Sequence, residues 1–545
     1  SLSQQAGSGA VLNVTVPSGT LGVAGNNPRL NINTSPALTN SVLPWATING
    51  VDFATYIPYV NSGGSISGGL GAFGALGFPA YTGTATAASL TSSATSNAKV
   101  TAWTGTQTLA GSISLNSLNL VSTAAGSLAF ATSTDTLNLT AGGLMRSGNF
   151  AASIGLTPDS GRLTAGGGTG SVPLFIYNNQ STLSINSRII DNPAGGALQL
   201  VLSGVGSTYN LGSTNNSYTG GTVLNNITLA LNNAGGLAVV PTGGLTLNNS
   251  TVTMTVSSGQ IASGNTVTLN GNSVLTLYGA NTLAGLAFNS NGGTTTAPTL
   301  NVGTGGLSVN SITADSSNLA QPSVISVTSV IDFGNSAGVF NVTPIQIAGQ
   351  TVAPLVATLN VAGALRGTAG LTLNGGGVLQ LSLLDPYTGP TNVNAGSTLQ
   401  FGAANTGSPT SAVLLNAGSS RLNLNGFSSV VGSLAGSGIV TNSSATGGSL
   451  TFGYDNTSTA FSGTFARLND ATGYVNSLNL IKVGTGTFSF SGTGTSTGAL
   501  IVNQGVFNLG GAATTSFLTN AVGVGGALVL DNSGTNVNNR LSNGI

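Results

Sequence analysis

Few side chains in this chain could do proton or metal chemistry. Among 545 residues there is no His and no Cys, and all ten acidic residues are Asp. Without His or Glu, neither a His-based triad nor a Glu general acid is available. Without Cys, disulfides and thiolate metal sites are excluded. Two Asp carboxylates could in principle be the acid and base of a polysaccharide-cleaving enzyme. The nearest pair, Asp455 and Asp470, is 470 − 455 = 15 residues apart, close enough for adjacent coils of a stacked fold to align. Most Asp sit in turn contexts instead, such as Asp191-Asn192, Asn469-Asp470 and Asp385-Pro386. Asp332-Phe-Gly334 is the kinase tripeptide without its Lys or its Arg-Asp loop, and the run from Asp531 to Asn536 lacks the bidentate Glu of a calcium loop. The sequence therefore predicts a protein that is not an enzyme, with no catalytic, cofactor-binding or metal site.

The remaining candidate chemistry is aromatic. Between residues 36 and 81, Pro36, Pro44, Pro58 and Pro79 alternate with Trp45, Phe53, Tyr56, Tyr59, Phe73, Phe78 and Tyr81. Prolines are excluded from central strands, so this segment is predicted to be a loop excursion or lateral cap on the side of the main body. A cluster of exposed aromatic rings is the mark of a glycan-binding surface. Trp45, Tyr56, Tyr59 and Tyr81 are the ligand-binding candidates on that ground.

The elements that must position these residues are short strands. Gly, at 83 residues, is about twice its usual share of roughly 7%. Hydrophobic residues still make up 40% of the chain and the mean hydropathy is positive, which argues against disorder. Runs such as Ile113-Ser-Leu-Asn-Ser-Leu-Asn-Leu-Val121 alternate apolar and small polar residues between Gly, Asn and Ser turns, and no stretch shows helical spacing. Triplets followed by Asn, as in Leu245-Thr-Leu-Asn248, Val267-Thr-Leu-Asn270, Leu371-Thr-Leu-Asn374 and Leu422-Asn-Leu-Asn425, suggest one strand turned at the same corner of successive coils. The predicted fold is an all-β, right-handed parallel β-helix. It forms one continuous body over residues 1–545, a single elongated rod with the lateral excursion near its N-terminus. At roughly 20 to 25 residues and about 4.8 Å per coil, it would have on the order of 25 coils and be roughly 110 Å long.

Charge narrows the partners. Only 4% of residues are charged and the net charge is zero, against about 25% charged in an ordinary domain. So few cations cannot drive phosphate neutralisation, which excludes nucleic acid and anionic membrane surfaces. Stacking supplies a reason for the low charge: equivalent positions on successive coils face each other, where like charges repel and uncharged Asn, Thr and Ser form ladders. No run reaches the roughly 18 apolar residues of a membrane span. The chain opens without a signal region and stops in mid-pattern, as a portion of a longer protein would.

Two stretches carry a family resemblance. Tyr218-Thr-Gly-Gly-Thr-Val-Leu-Asn-Asn-Ile-Thr-Leu229 and Tyr387-Thr-Gly-Pro-Thr-Asn-Val-Asn-Ala-Gly-Ser-Thr-Leu399 resemble the Tyr-Thr-Gly-Gly-Thr signature of autotransporter-associated β-strand repeats, found in passenger regions of bacterial surface proteins. The segment from Thr497 to Phe507 resembles a third copy, and Lys482-Val-Gly-Thr-Gly-Thr-Phe488 resembles the strand that precedes the signature. Ile227 stands where the signature has Gly, Pro390 replaces its second Gly, and Ser496 replaces its Tyr. The two clear copies lie 387 − 218 = 169 residues apart, and the best-matching repeat region runs from 111 to 509. The resemblance implies a β-helix displayed at the outer surface of a bacterium. The expected function is an extracellular structural scaffold, surface-displayed or assembled into a filament or coat through end-to-end or lateral self-association. The alternatives are an adhesin that binds glycans or surfaces and, behind it, a polysaccharide-cleaving enzyme.

Overall fold

The computed structural model describes residues 2–62, 65–291, 295–467, 477–496, 498–517 and 519–541. It divides into two units, Ser1–Thr268 with Ser273–Tyr278, and Leu269–Asn272 with Gly279–Ile545. Both are built of parallel strands stacked coil on coil, a β-solenoid of about 18 turns in all. Among the described residues the one helical element is the three-residue 3-10 turn Ala87–Ser89.

In the first unit the alternation seen in the sequence becomes a one-sided core. Thr251–Met254 and Val274–Leu277 are half-buried and buried at alternate residues. Leu229 pairs with Val252, which pairs with Leu275, and all three are fully buried. Each such side chain contributes about 1.5–3 kcal/mol of apolar burial, and its neighbours in the column repeat the contribution. Several strands depart from one-sided burial, three of them under the N-terminal segment. In Val172–Asn178, Leu174, Phe175, Ile176 and Tyr177 are all buried, and Thr136–Ser147 and Leu198–Leu211 contain similar runs. Their second faces are covered by residues from the N-terminal part of the chain.

That cover is a sheet. Leu12–Val14 pairs in parallel with Leu43–Ile48, which runs antiparallel to Asp52–Ser62, which runs antiparallel to Ser65–Ala72. The excursion over 36–81 is thus largely strand where the prolines suggested loop. The ladder accommodates Pro44 and Pro58 at irregularities, since the register shifts between Leu43 and Thr47 and between Ile57 and Val60. Val42, Phe53 and Phe73 from this segment pack on Ala141, Met145, Phe175, Tyr177, Val201 and Val223 of the coils. Phe53 meets Tyr177 edge to face at 6.1 Å, and the Tyr177 hydroxyl donates to the Pro44 carbonyl at 3.0 Å. A Cβ on Gly143 would stand 2.9 Å from the Phe53 ring, so the close approach requires glycine there.

In the second unit the coils form distinct strand columns. One runs through Gly338–Val342, Leu371–Asn374, Thr391–Val393 and Ala412–Leu415. Another runs through Leu359–Arg366, Val378–Leu381, Thr398–Phe401 and Arg421–Asn423. The runs at Leu371 and Leu422, expected at one corner, therefore lie in different columns. Their similar letters reflect only that every column needs alternate Leu and a polar turn. A third column of five strands begins at Ser429–Val431 and ends at Thr519–Val522. The core here is aromatic: Phe452, Phe461, Phe465, Phe488, Phe490, Phe507 and Phe517 are in mutual ring contact, with Phe461 stacked on Phe490 at 6.1 Å.

Polar ladders run beside these cores. In the second unit Asn416 donates to Asn394, Asn394 to Asn374 and Asn374 to Asn341, at 2.8, 2.7 and 3.1 Å. Gln400 joins Gln380, and Asn423 joins Gln400. In the first unit Asn248 donates to Asn225 at 2.8 Å. The rungs give the coil lengths. Asn289 bonds to Asn270 across 19 residues, Asn248 to Asn225 across 23, and Asn374 to Asn341 across 33. The longest of these coils carries an inserted hairpin, Gln346–Ile347 against Gln350–Thr351. Coils that often exceed 25 residues explain why the turns number about 18, where a uniform short coil gives about 25.

Candidate functional site: two clefts beside the N-terminal sheet

Both clefts lie in the first unit, where the sheet's strands leave room against the coils. The first encloses about 590 Å³ and is lined by Trp45 together with Leu2, Gln4, Ser171, Pro173 and Gln199. Trp45 is partly buried, because its ring packs against the two apolar clusters that hold the sheet. Gln199 donates its amide to the Gly7 carbonyl at 3.0 Å, while its Oε1 is buried without a partner. None of the residues lining this cleft is charged. An aromatic ring in an uncharged cleft is chemistry suited to a neutral polyhydroxylated ligand, while the Gln199 oxygen is buried beneath the cleft surface.

The second cleft, of about 540 Å³, contains Tyr81, Phe73, Asp52 and Lys99. Lys99 Nζ lies 2.7 Å from Asp52 Oδ1 and 5.0 Å from the centre of the Tyr81 ring. Asn119 donates to the Val51 carbonyl at 2.9 Å and to Asp52 Oδ1 at 3.2 Å. The Tyr81 hydroxyl accepts the Phe53 N–H at 3.2 Å, and the ring meets Phe73 edge-on at 4.8 Å. Burial raises the Asp52 carboxyl above its ordinary range, and the bond to Lys99 offsets part of that rise. The Tyr81 phenol is pushed well above its usual value by burial and then by the Asp52 charge. Asp52 and Lys99 spend their bonding on each other and on neighbours, so this cluster pins the sheet to the coil strands Ser93–Leu109 and Ile113–Phe130.

The four aromatic candidates do not form one platform. Trp45 and Tyr81 line separate clefts. Tyr56 is buried, with its hydroxyl donating to the Ile32 carbonyl at 3.1 Å, so its ring belongs to the sheet's own core. Tyr59 is 43% exposed. Gln199, Lys99 and Asn119 are the site residues that composition and spacing missed. Gln199 comes from a coil far along the chain and Lys99 and Asn119 from the first long coil strands after the segment, and only the packing of the sheet brings them to the aromatic residues.

The described Asp residues mostly serve turns. Asp191 accepts from the Leu198 and Thr219 backbones, Asp455 from Thr457 and Asp531 from Ser533. Asp470 lies outside the described residues. Asp332 Oδ1 takes the Gly334 N–H, and its Oδ2 pairs with Arg366, which together hold the carboxyl below its ordinary range. Among the described residues no three of His, Cys, Asp and Glu come together.

The signature residues are structural in both copies. Tyr218 is fully buried, its hydroxyl 2.7 Å from the Thr222 hydroxyl, and Tyr387 stands 2.7 Å from Thr391 in the same way. The left-handed residue moves by one position between copies, from Gly221 (φ +84°) to Gly389 (φ +82°), because Pro390 cannot adopt positive φ. Lys482, 1% exposed, donates to the Val483 and Gly484 carbonyls at 2.6 and 2.9 Å. No protein family, curated protein or solved structure matches the chain.

Proposed function

We propose that this chain is a structural scaffold, a β-solenoid passenger displayed outside a bacterial cell and assembled with further copies into a filament or coat. The observation that carries the proposal is the set of uncharged ladders. The Asn341, Asn374, Asn394 and Asn416 rungs continue from coil to coil without a charged residue. Such a column satisfies its own polar groups, adds no repulsion as it lengthens and suits a body whose work is to be long and stable. The signature geometry at Tyr218 and Tyr387 supports the surface-protein reading through the family resemblance alone. The test is immunogold labelling of intact cells with an antibody to the folded chain. Dense surface labelling removed by external protease is the expected result, and label confined to the cell interior would overturn the reading.

The Trp45 cleft favours a second reading, an adhesin for neutral glycans. Its aromatic wall and uncharged lining suit a sugar better than an ionic ligand. Binding to a panel of immobilised neutral and sialylated glycans tests it. Binding of neutral sugars that falls at least about tenfold in Trp45→Ala, in a variant whose thermal melt shows it folded, supports the adhesin through loss of the cleft's aromatic wall. Binding that survives the substitution would place any sugar site elsewhere.

A further inference from the structure

Asp385 occupies the same place in the second signature copy that Asn216 occupies in the first, two residues before the buried tyrosine. The two side chains do the same work. Asn216 Oδ1 accepts the Ile189 N–H of the preceding coil at 2.8 Å, and Asp385 Oδ1 accepts the Leu365 N–H of its preceding coil at 2.8 Å. They differ at the second atom. The Asn216 amide donates to the Val239 carbonyl at 2.8 Å and to the Ser213 carbonyl at 3.2 Å. Asp385 is 1% exposed, and its Oδ2 is buried with no hydrogen-bond partner. A carboxylate cannot donate, so an ionised Asp385 leaves a buried charge facing backbone with one bond to hold it. A carboxylic acid is neutral as the Asn216 amide is, so it removes the buried charge even though Oδ2 has no acceptor beside it.

We propose that Asp385 folds as a neutral carboxylic acid, replacing the asparagine amide of the first copy, and that this coil corner is a built-in pH switch which loosens when the acid ionises. Among the described residues no cation pairs with it. Tyr387, two residues on, is itself buried, and its phenol is pushed up by burial and then by the Asp385 charge. The next coil contributes the Gly407 carbonyl, which accepts the Asp385 N–H at 2.9 Å, with the hydroxyl of Ser408 beside it bonded to the Tyr387 carbonyl at 2.7 Å. On the preceding coil Arg366, next to Leu365, points outward to Asp332 with 60% of its side chain exposed. Burial pushes the Asp385 carboxyl up to about 8, against the single lowering bond from Leu365.

The sign follows from linkage. The folded pKa lies above the unfolded one, so the folded chain binds the extra proton, and stability falls as pH rises from the ordinary carboxylate range to about 8. Beyond that the penalty is complete and constant. Asp385→Asn, which restores the residue of the first copy, removes the dependence.

The test compares denaturant midpoints of the wild-type chain, Asp385→Asn and Asn216→Asp from about pH 4 to about pH 9. The folding constant of the wild type relative to Asp385→Asn should fall by up to about tenfold per pH unit until about pH 8 and then level off. Asn216→Asp should acquire a second loss of the same sign. A difference infrared spectrum at pH 7 should show a protonated carboxyl band in the wild type that Asp385→Asn lacks. If Asp385→Asn folds poorly, the same band read in an Asp52→Asn background, which removes the other raised carboxyl, and its disappearance above about pH 8 still decide the matter. Parallel pH curves for the wild type and Asp385→Asn, or no protonated carboxyl at pH 7, would overturn the proposal.

Discussion

At the level of single residues, the charges that this chain does bury are held by backbone carbonyls and amides more than by opposite charges. Arg146 is fully buried, yet its guanidinium bonds Ser122, Asn178 and the Gln180 carbonyl, with no acidic partner. Burial lowers its pKa to about 10, which leaves it charged at neutral pH. Replacing Lys482 by Met should cost about 1–3 kcal/mol, because the part-buried Val483 carbonyl and the buried Gly484 carbonyl lose their donor. The loss is measurable as a lower denaturant midpoint, and an unchanged midpoint would show that water satisfies those carbonyls. Gly143→Val should act on the sheet instead. The added side chain meets the Phe53 ring and should release the 36–81 segment to limited proteolysis, at a cost of about 1–3 kcal/mol. If 36–81 stays protected in the variant, the sheet is held by something other than this contact.

At the level of elements, the stacked ladders have a direct electrostatic consequence. Asn374 lies between Asn341 and Asn394, so the double change Asn374→Asp with Asn394→Asp places two carboxylates on successive rungs. Like charges facing across a parallel pair should cost about 1 kcal/mol or more at neutral pH. Mutual repulsion raises the folded pKa of such a pair above the unfolded value. The lost stability therefore returns as pH falls below the carboxylate range, and thermal melts at pH 3 and pH 7 would show it. Much of this element-level plan was legible in the sequence. Strict alternation in Thr251–Met254 predicts a strand with one buried face, and the Asn residues after Leu-Thr-Leu predict polar rungs. The sheet over 36–81 was harder to read because Pro44 and Pro58 signal loop, and only the bulges beside them make strand possible. Leu174-Phe-Ile-Tyr177 carries the counter-signal, a continuous apolar run that requires cover on both faces. The site was less legible still. Trp45 and Tyr81 stand out by type, but Gln199 and Lys99 look like any other polar residue until folding brings them to the clefts.

At the level of the whole molecule, the balance of forces is almost entirely apolar burial and neutral hydrogen bonding. Ten cations and ten anions serve 545 residues, and two ion pairs join described residues. The denaturation midpoint should therefore be nearly constant between about 0.05 and about 0.5 M NaCl, apart from a slight rise common to all proteins at high salt. A strong salt dependence would mean that long-range electrostatics matters more than the ladders do. The central claim is that the chain is a building block of an extracellular assembly, and electron microscopy of native material on and shed from cells tests it most directly. Continuous filaments or sheets that label with an antibody to this chain and show the roughly 4.8 Å axial spacing of stacked coils are the predicted result. Isolated copies tethered singly to the cell, with no contact between neighbours, would contradict it.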